Sequence, residues 1–136
     1  MLIERVTAED CYALRETILR PGQPRANWTF DADDDPRTIH LAMKDGDEII
    51  AIVSLLPEEK EGCPWRLRAM AVKETLRGQG VGQQLLISLL AMVDKPIWCT
   101  ARTNVKDFYL KNDFTIFGDA FTMNDMPHVY MRRELH

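Results

Sequence analysis

The sequence predicts an α/β protein in which a mixed sheet carries helices on its faces. Three observations lead to this fold class. Short apolar runs have the length and flanking residues of strands, other stretches have the apolar periodicity of helices, and a glycine-rich turn joins a strand directly to a helix. In chain order the elements read β-α-β-β-β-α-β-α-β-β. The chain is long enough for one hydrophobic core, so we expect a single domain over residues 1–136.

Composition and charge argue against several classes of protein. Hydrophobic residues make up 46% of the chain and charged residues 28%, as in an ordinary folded protein. The net charge of -4 argues against general nucleic-acid binding, which needs a basic face. No apolar run is long enough to span a bilayer, and the first residues lack the apolar core of a signal peptide.

The three cysteines, Cys11, Cys63 and Cys99, are odd in number and widely spaced, without a Cys-x-x-Cys pair. This pattern predicts neither a disulfide framework nor a metal site. A reducing compartment suits it best, so we expect a cytoplasmic protein with no membrane or nucleic-acid partner.

The first helix follows a short strand at residues 2–6. Thr7 and Asp10 have the spacing of a capping box, which marks the start of this helix. Pro21-Gly22 stops it. The apolar residues that recur on one of its faces are Cys11, Leu14 and Ile18.

A long irregular connection is expected over residues 21–37, which are rich in proline. Its acidic end, residues 31–35, is expected to be a solvated loop. The alternative is a rim that attracts cationic substrates.

Three strands follow this connection. Residues 38–43 and 48–56 are strand-like, and Asp45-Gly46 between them is a strong hairpin signal. Residues 57–64 are expected to form a charged turn, and residues 65–72 form the strand that precedes the glycine-rich turn.

The glycine-rich turn spans residues 77–82, with the sequence Arg-Gly-Gln-Gly-Val-Gly. Glycine is unfavourable at the start of a helix, but it leaves the backbone N–H groups uncovered by any Cβ. These N–H groups lack intrahelical partners and lie at the positive end of the helix dipole. The turn therefore predicts a seat for a phosphate or pyrophosphate. The helix after it carries an apolar stripe of Leu85, Leu86, Leu89, Leu90 and Val93.

Two common phosphate motifs do not match this turn. It lacks the Gly-Lys-Ser/Thr ending of a P-loop, and its Gly-x-Gly-x-Gly spacing differs from the dinucleotide fingerprint. From spacing alone, a tight turn whose glycines only allow close packing remains an alternative.

The C-terminal part predicts a strand at residues 96–101, a short helix and two final strands. Asn104 is expected to cap a helix that starts at Val105. This helix should end near Asn112-Asp113, which tolerate the left-handed conformation. The final strands are residues 114–117 and 128–133, joined by a loop through Gly118 and Pro127.

The glycine-rich turn resembles the acetyl-CoA-binding segment of the GNAT acyltransferases, whose pattern is Gln/Arg-x-x-Gly-x-Gly/Ala. Arg77, Gly80 and Gly82 occupy the three specified positions, after a strand that ends in Met70-Ala71-Val72. The family's Phe-Tyr, helix end and Gly-Phe pattern resembles residues 108–114, with Asp113 in place of glycine. The resemblance covers most of the chain, and the C-terminal tail is similar to that of small ElaA-like bacterial members.

This resemblance implies a mostly antiparallel sheet of about seven strands, splayed in the middle, with helices on both faces. It also implies an acetyl-CoA-dependent N-acetyltransferase, without a metal, in which an amine acceptor attacks the thioester directly in a ternary complex. The acceptor would be a small molecule or a peptide, and pairing of late strands into a homodimer is possible.

The resemblance also implies roles for individual residues. Tyr109 would be the general acid that protonates the departing thiolate, since a phenol is protonated near neutral pH; its alternative is a core aromatic residue. Asn104 would contact the cofactor, cap a helix, or do both. The residues expected to bind the cofactor are Met70, Ala71, Val72, Arg77, Gly78, Gln79, Gly80, Val81, Gly82 and Asn104.

A general base is harder to identify. The candidates are Glu58, Glu59, His40 and His128, and none has a pattern that sets it apart. His128 is expected to line the substrate pocket, without a catalytic role. Two other functions stay open from the sequence: an acyl-CoA sensor or interaction module on the same fold, and an unrelated nucleotide-phosphate binder.

Overall fold

The structure, a computed structural model, describes residues 1–134. Its helices are α1 (Ala8–Leu14), α2 (Val81–Leu90) and α3 (Lys106–Leu110). Its strands are β1 (Leu2–Arg5), β2 (Ile39–Asp45), β3 (Glu48–Lys60), β4 (Cys63–Val72), β5 (Ile97–Arg102), β6 (Thr115–Met123) and β7 (Met126–Arg133). The predicted order of elements is confirmed.

The described strands form one seven-stranded sheet in the order β1-β2-β3-β4-β5-β7-β6. The pairs β1–β2, β2–β3, β5–β7 and β6–β7 are antiparallel, whereas β4 and β5 are parallel. The prediction of a mixed, mostly antiparallel sheet of about seven strands is therefore confirmed.

The start of α1 follows the predicted capping box. The Thr7 hydroxyl accepts a hydrogen bond from the Asp10 N–H at 3.2 Å, and the Asp10 carboxylate accepts one from the Thr7 N–H at 3.1 Å. After Leu14 the chain continues as a π-helical turn over Arg15–Leu19, so helical structure ends just before Pro21.

One unit of the chain comprises Met1–Pro57 and Arg68–Val93. Part of its core packs α1 on the sheet, as the apolar face of the first helix predicts. The cluster contains Cys11, Leu14, Ala42, Ile52 and Ala71, with Val6, Ile18, Leu19 and Ile49 packed against it. On α2, Leu85, Leu86 and Leu89 are buried, but the helix ends at Leu90, so the placement of Val93 on its stripe was wrong.

The second unit comprises Glu58–Leu67 and the chain from Asp94 onward. It contains β5, β7, β6 and the short helix α3. Cys99 on β5, Met131 on β7 and Phe114 after α3 are almost completely buried and belong to its core.

Two predicted loops are instead parts of strands. The expected turn at 57–64 was wrong, because β3 runs to Lys60 and β4 begins at Cys63. Pro57 is tolerated because the register with β2 ends at Leu55, beyond which no N–H is needed on that side.

The predicted loop through Gly118 and Pro127 was also wrong. Strand β6 continues through Gly118 to Met123, with a register shift between Phe117 and Phe121. Gly118 has φ of 66°, and the extra residues bend the strand as a bulge without ending it.

Candidate active site

The glycine-rich turn leads directly into α2. Gly78 and Gly80 have φ of 78° and 79°, a left-handed conformation that glycine adopts without strain. A Cβ added at either position would meet nothing within 4 Å, so the space beside both glycines is open. A residue with a side chain would cover this surface and strain the backbone.

The backbone N–H groups of residues 78–82 are unused within the part of the chain that the structure describes. None of these five donates a hydrogen bond of ordinary geometry to a protein acceptor, whereas the N–H groups of Leu76, Arg77 and Gln84 do. The free groups belong to the end of the turn and the first residues of α2, where the helix dipole is positive. This arrangement can bind an anionic group through several main-chain donors at once.

Strand β4 is irregular before it reaches the turn. Ala69 has φ of 59°, which is costly for a residue with a Cβ. The parallel register with β5 pairs only Trp65 with Ile97 and Arg66 with Trp98. The residues Met70 and Val72, which the resemblance assigns to the cofactor, are partly exposed, and Ala71 is buried.

Arg77 lies exposed at the start of the turn. Its Nε donates a hydrogen bond to the Val72 carbonyl at 3.3 Å, so the side chain braces the turn against the end of β4. Nearby, the Gln79 side chain donates to the Thr75 carbonyl at 3.4 Å. Both contacts are made at the surface, where a ligand could replace them.

Tyr109 lies on α3 and is 7% exposed. Its ring makes edge contacts with Phe108 and Phe114, with centroid distances of 5.1 and 5.3 Å. Burial, with a smaller contribution from Cys99, raises the pKa of the Tyr109 phenol above its ordinary value. The hydroxyl is therefore protonated throughout the physiological range.

The end of α3 fixes the position of Tyr109. The Phe114 N–H donates to the Tyr109 carbonyl at 3.1 Å, and the Asp113 N–H donates to the Leu110 carbonyl at 3.3 Å. These are the two bonds of a Schellman motif, and Asp113 occupies its left-handed position with φ of 69°. The predicted helix end is confirmed, although aspartate replaces the glycine usual there.

The predicted cap at Asn104 was wrong. The helix begins at Lys106, and Val105 occupies the cap position without a side-chain hydrogen bond. The Val105 N–H donates to the Arg102 carbonyl at 2.9 Å, and this turn places Asn104 one residue too early to reach the first N–H groups of α3. Its side chain is exposed and is not used as a cap.

The two histidines considered as bases, His40 and His128, are both buried and hydrogen-bonded. His128 is 5% exposed, its Nδ1 donates to the Met126 carbonyl at 2.9 Å, and its ring stacks on Phe121. His40 is 4% exposed, with Nδ1 at 2.7 Å from the Ser54 hydroxyl and Nε2 at 2.9 Å from the Asp33 carbonyl. Because both nitrogens of His40 are engaged, it has no free lone pair for proton transfer.

The two glutamates considered as bases lie at the surface. Glu58 forms an ion pair with Arg66 at 2.8 Å, and Glu59 accepts a hydrogen bond from the Gly62 N–H at 2.8 Å.

The three cysteines are free and buried. Burial raises the pKa of Cys11 to about 11 and that of Cys99 to about 12, so these thiols are poor nucleophiles.

The sequence predicted a solvated loop for the acidic segment at 31–35, and for Asp33 this was wrong. Asp33 is 5% exposed and pairs with the fully buried Arg15. Sequence reasoning missed this pair because its partners lie in different segments; the available signal was that Arg15 is next to Leu14 on the buried side of the helix.

Among residues 1–134, no group of three or more His, Cys, Asp and Glu could hold a metal ion, and no helix is long and apolar enough to cross a membrane.

The chain belongs to the GNAT acetyltransferase family, because residues 7–135 match the family model described as an acetyltransferase (GNAT) domain. Among its relatives is the Uncharacterized N-acetyltransferase YitI of Bacillus subtilis (strain 168), which is 30% identical over 145 residues, 98% of this chain and 95% of YitI. Protein ElaA of Escherichia coli (strain K12) is 29% identical over 101 residues, 71% of this chain and 66% of ElaA.

Solved structures share the fold. The crystal structure of Escherichia coli ElaA superimposes with a TM-score of 0.84 and 22% identity, covering 98% of this chain and 99% of that one. An aminoglycoside 6'-N-acetyltransferase complexed with coenzyme A gives a TM-score of 0.73 and 16% identity, covering 98% and 97% of the two chains. The similarity to the GNAT family noted in the sequence is thus confirmed.

Proposed function

We propose that this protein transfers an acetyl group from acetyl-CoA to an amine acceptor, which attacks the thioester directly in a ternary complex. The proposal treats residues 1–136 as a single acyltransferase domain. Membership of the GNAT family supports the reaction class. The observation that carries the donor assignment is the set of five unused main-chain N–H groups at residues 78–82.

The fit of a pyrophosphate to this turn rests on geometry and charge. A diphosphate presents several acceptor oxygens to neighbouring donors, and the turn offers consecutive N–H groups at a positive helix end. The open space at Gly78 and Gly80 lets the backbone approach a ligand closely. Arg77 is exposed beside them and adds a positive charge, either on the phosphates or by bracing the loop.

The pantetheine arm carries amide groups, which can pair with main-chain atoms at Met70, Ala71 and Val72 as an added strand would. This pairing needs backbone and no particular side chain. Asn104 remains a proposed cofactor contact, since its exposed side chain is not used as a cap. His128 remains proposed as a wall of the acceptor pocket.

Acetyl-CoA supplies a thioester, which an uncharged amine can attack. In the proposal Tyr109 keeps its proton at working pH and offers it to the departing sulfur. A free thiol has a pKa of about 8.5 and is already a fair leaving group, so the contribution of Tyr109 is moderate. Its raised pKa makes it a donor of a hydrogen bond more than a donor of a complete proton.

The proposal assigns no side chain as the general base. An alkylamine of pKa about 10.4 is neutral in roughly one molecule in two thousand at pH 7. Without a protein base, the rate below that pKa should rise about tenfold per pH unit, following the neutral amine. A plateau well below the pKa of the acceptor would instead reveal a base.

Two measurements test the function. Calorimetry measures the binding of acetyl-CoA, with ATP as competitor. A thiol-release assay then tests alkylamines, amino acids, peptide N-termini and aminoglycosides, the last because an acetyltransferase of that class shares the fold. Binding that ATP does not displace, together with amine-dependent release of thiol, is the expected result.

The other functions left open by the sequence give different results. Tight binding without turnover on any acceptor would favour an acyl-CoA sensor. Displacement of CoA by ATP would favour a nucleotide-phosphate binder. Cytoplasmic location and a homodimer stay predictions, which fractionation of cells and analytical ultracentrifugation respectively can test.

A further inference from the structure

One face of the second unit's sheet carries a run of aromatic rings. In the β5–β7 register Trp98 lies opposite Arg132 and Thr100 opposite Tyr130, so their side chains share this face. The β6–β7 register places Phe117 opposite Tyr130 and Phe121 opposite His128. We call Trp98, Phe117, Phe121, His128 and Tyr130 the aromatic face; Trp98 and His128 are buried, so Phe117, Phe121 and Tyr130 form its accessible part.

Ring contacts join these residues into one surface. Tyr130 is central: its centroid lies 4.5 Å from that of Phe121, 5.7 Å from that of Phe117 and 6.4 Å from that of Trp98. The Phe121 and Tyr130 rings are nearly parallel, with 27° between their planes. With the bulge at Gly118, both Phe117 and Phe121 contact the same tyrosine.

Within the described part of this unit, the aromatic face has no helix over it. The single helix of this part, α3, lies over the opposite face. Tyr109 on α3 is close enough to Cys99 for that thiol to affect its pKa, and the Cys99 side chain points to the other face of β5 from Trp98. Phe117, Phe121 and Tyr130 remain partly exposed. Neighbouring aromatic rings that stay partly exposed offer an apolar surface to a ligand.

Charges of both signs lie around the aromatic face, and the positive ones are unequally paired. Arg66, over the Trp98 ring, pairs with Glu58, and Arg132 pairs with Glu134. Among residues 1–134, Lys60 and Arg102 have no ion-pair partner. Lys60 places its Nζ 4.7 Å from the Tyr130 centroid, so a positive charge without a carboxylate partner lies directly against the central ring.

We propose that the aromatic face binds a small aromatic carboxylate, with its ring against Phe121 and Tyr130 and its carboxylate at Lys60. A planar apolar ring gains contact area on the exposed aromatic side chains. A carboxylate gains a charge-assisted hydrogen bond from Lys60, which forms no ion pair within the described residues. A cationic ligand would meet repulsion from Lys60, and an uncharged one would leave that ammonium without an acceptor.

This surface differs from the donor-binding turn and does not depend on acetyl transfer. Its ligand can be an amine acceptor, such as an aromatic amino acid, or a molecule without an amine. The chemistry shared by both is the ring and the carboxylate, and the experiment separates them.

The test uses 3-phenylpropionate, which has the ring and carboxylate but no amine, and the intact protein without acetyl-CoA. Chemical-shift changes in amide NMR spectra report both affinity and location. The neutral 3-phenylpropanamide and the cationic phenethylamine are matched in shape. We expect 3-phenylpropionate to bind about tenfold more tightly than either, as a charge-assisted hydrogen bond requires, with shifts in β6 and β7.

Three variants locate the site. Lys60→Gln should weaken binding of 3-phenylpropionate about tenfold and leave that of the amide unchanged. Arg102→Gln removes the same charge near the His128 end of the face, about 13 Å along β5 from Trp98, and should change affinity less than about threefold. Phe121→Leu keeps an apolar side chain but should weaken both ring-bearing ligands. Unchanged thermal unfolding shows that the variants are folded.

The same data define what would overturn the proposal. No shifts in β6 or β7, equal binding of the three ligands, or equal effects of Lys60→Gln and Arg102→Gln would each exclude the site. Self-association that Phe121→Leu abolishes, without ligand binding, would assign the face to a second copy of the chain instead. L-phenylalanine in the thiol-release assay then tells whether a bound ligand is also acetylated, which leaves the binding result independent.

Discussion

Arg15 and Asp33 form a two-pronged ion pair in the interior of the first unit. Nη1 donates to one carboxylate oxygen at 2.8 Å and Nη2 to the other at 2.9 Å, and the two side chains are 0% and 3% exposed. Arg15 also donates to the Trp28 carbonyl at 3.2 Å and to the Ser54 hydroxyl at 3.1 Å. The pair therefore holds the connection between α1 and β2 against β3.

Removing the charge of Asp33 should be strongly destabilising. Asp33→Asn leaves the Arg15 guanidinium buried without its counter-charge, and breaking such a pair costs about 3–5 kcal/mol. Urea denaturation measures the loss. Asp34→Asn, at an exposed position in the same segment, is the control and should stay within about 0.5 kcal/mol. Equal effects of the two variants would mean that the pair does not stabilise the fold.

Gly80→Ala should impair donor binding more than stability. The left-handed φ of 79° costs an alanine about 1 kcal/mol, and the new Cβ stands on the surface beside the unused N–H groups. Gly46→Ala, at φ of 62° in the β2–β3 hairpin, is a control with a similar backbone cost. Calorimetry should show at least a tenfold rise in the Kd of acetyl-CoA, by loss of several charge-assisted bonds, for Gly80→Ala alone.

Tyr109→Phe tests the role of the hydroxyl while the ring contacts with Phe108 and Phe114 are kept. General acids contribute about 10²–10⁴ in rate, and a thiolate is a good leaving group, so we expect a fall in kcat near the lower end of that range. The Kd of acetyl-CoA should not change. Tyr12→Phe is the control for loss of a phenol elsewhere. An unaltered kcat, with the acetyl-transfer step shown to limit the rate, would remove Tyr109 from the chemistry.

Asp113→Gly should stabilise the protein. Asp113 is exposed and has φ of 69°, where glycine is free of the strain that a Cβ brings. Because glycine also gains freedom in the unfolded chain, the net gain should be about 0.5 kcal/mol. Asp107→Gly is a control with the opposite expected sign: it puts glycine within α3 and should lower the free energy of unfolding by about 1 kcal/mol. Thermal unfolding distinguishes the signs, and a loss at both positions would contradict the strain at Asp113.

The free energy of unfolding should fall at alkaline pH because the buried Cys99 thiol ionises less readily in the folded chain than in the unfolded chain. Its pKa is near 9.0 when unfolded and about 12 in the folded chain because of burial. A thiol whose pKa is raised by folding binds its proton more tightly in the folded chain. Its contribution to the free energy of unfolding is therefore complete below pH 9 and is lost as the pH rises toward 12. The unfolding free energy of the wild type should therefore drop faster across this window than that of Cys99→Ala, by about 1.4 kcal/mol per pH unit at most. Parallel curves would contradict the burial of a protonated thiol.

The sequence predicted those features that local chemistry determines. Thr7 with Asp10 marked a helix start, and Asp113 marked a helix end, because caps depend on residues only a few positions apart. The glycine-rich turn was placed correctly for the same reason. The assignment of donor binding to it is still a prediction.

Features that depend on distant partners could not be predicted. Asp33 looks like one member of a solvated acidic run until Arg15 is known to face it. Pro57 looks like the end of a strand until β2 is seen to stop at Leu55, and Gly118 like a loop until β7 continues alongside it. Asn104 failed as a cap because a turn shifted the helix start by one residue, which is within the usual uncertainty of helix boundaries.

The irregular alanine of β4 has a consequence for protein engineering. Ala69 keeps φ of 59° in a strand, so glycine at this position should relieve strain while giving the unfolded chain more freedom. A bulky or β-branched side chain would be tolerated poorly there. Libraries of substitutions along this strand should therefore leave position 69 small.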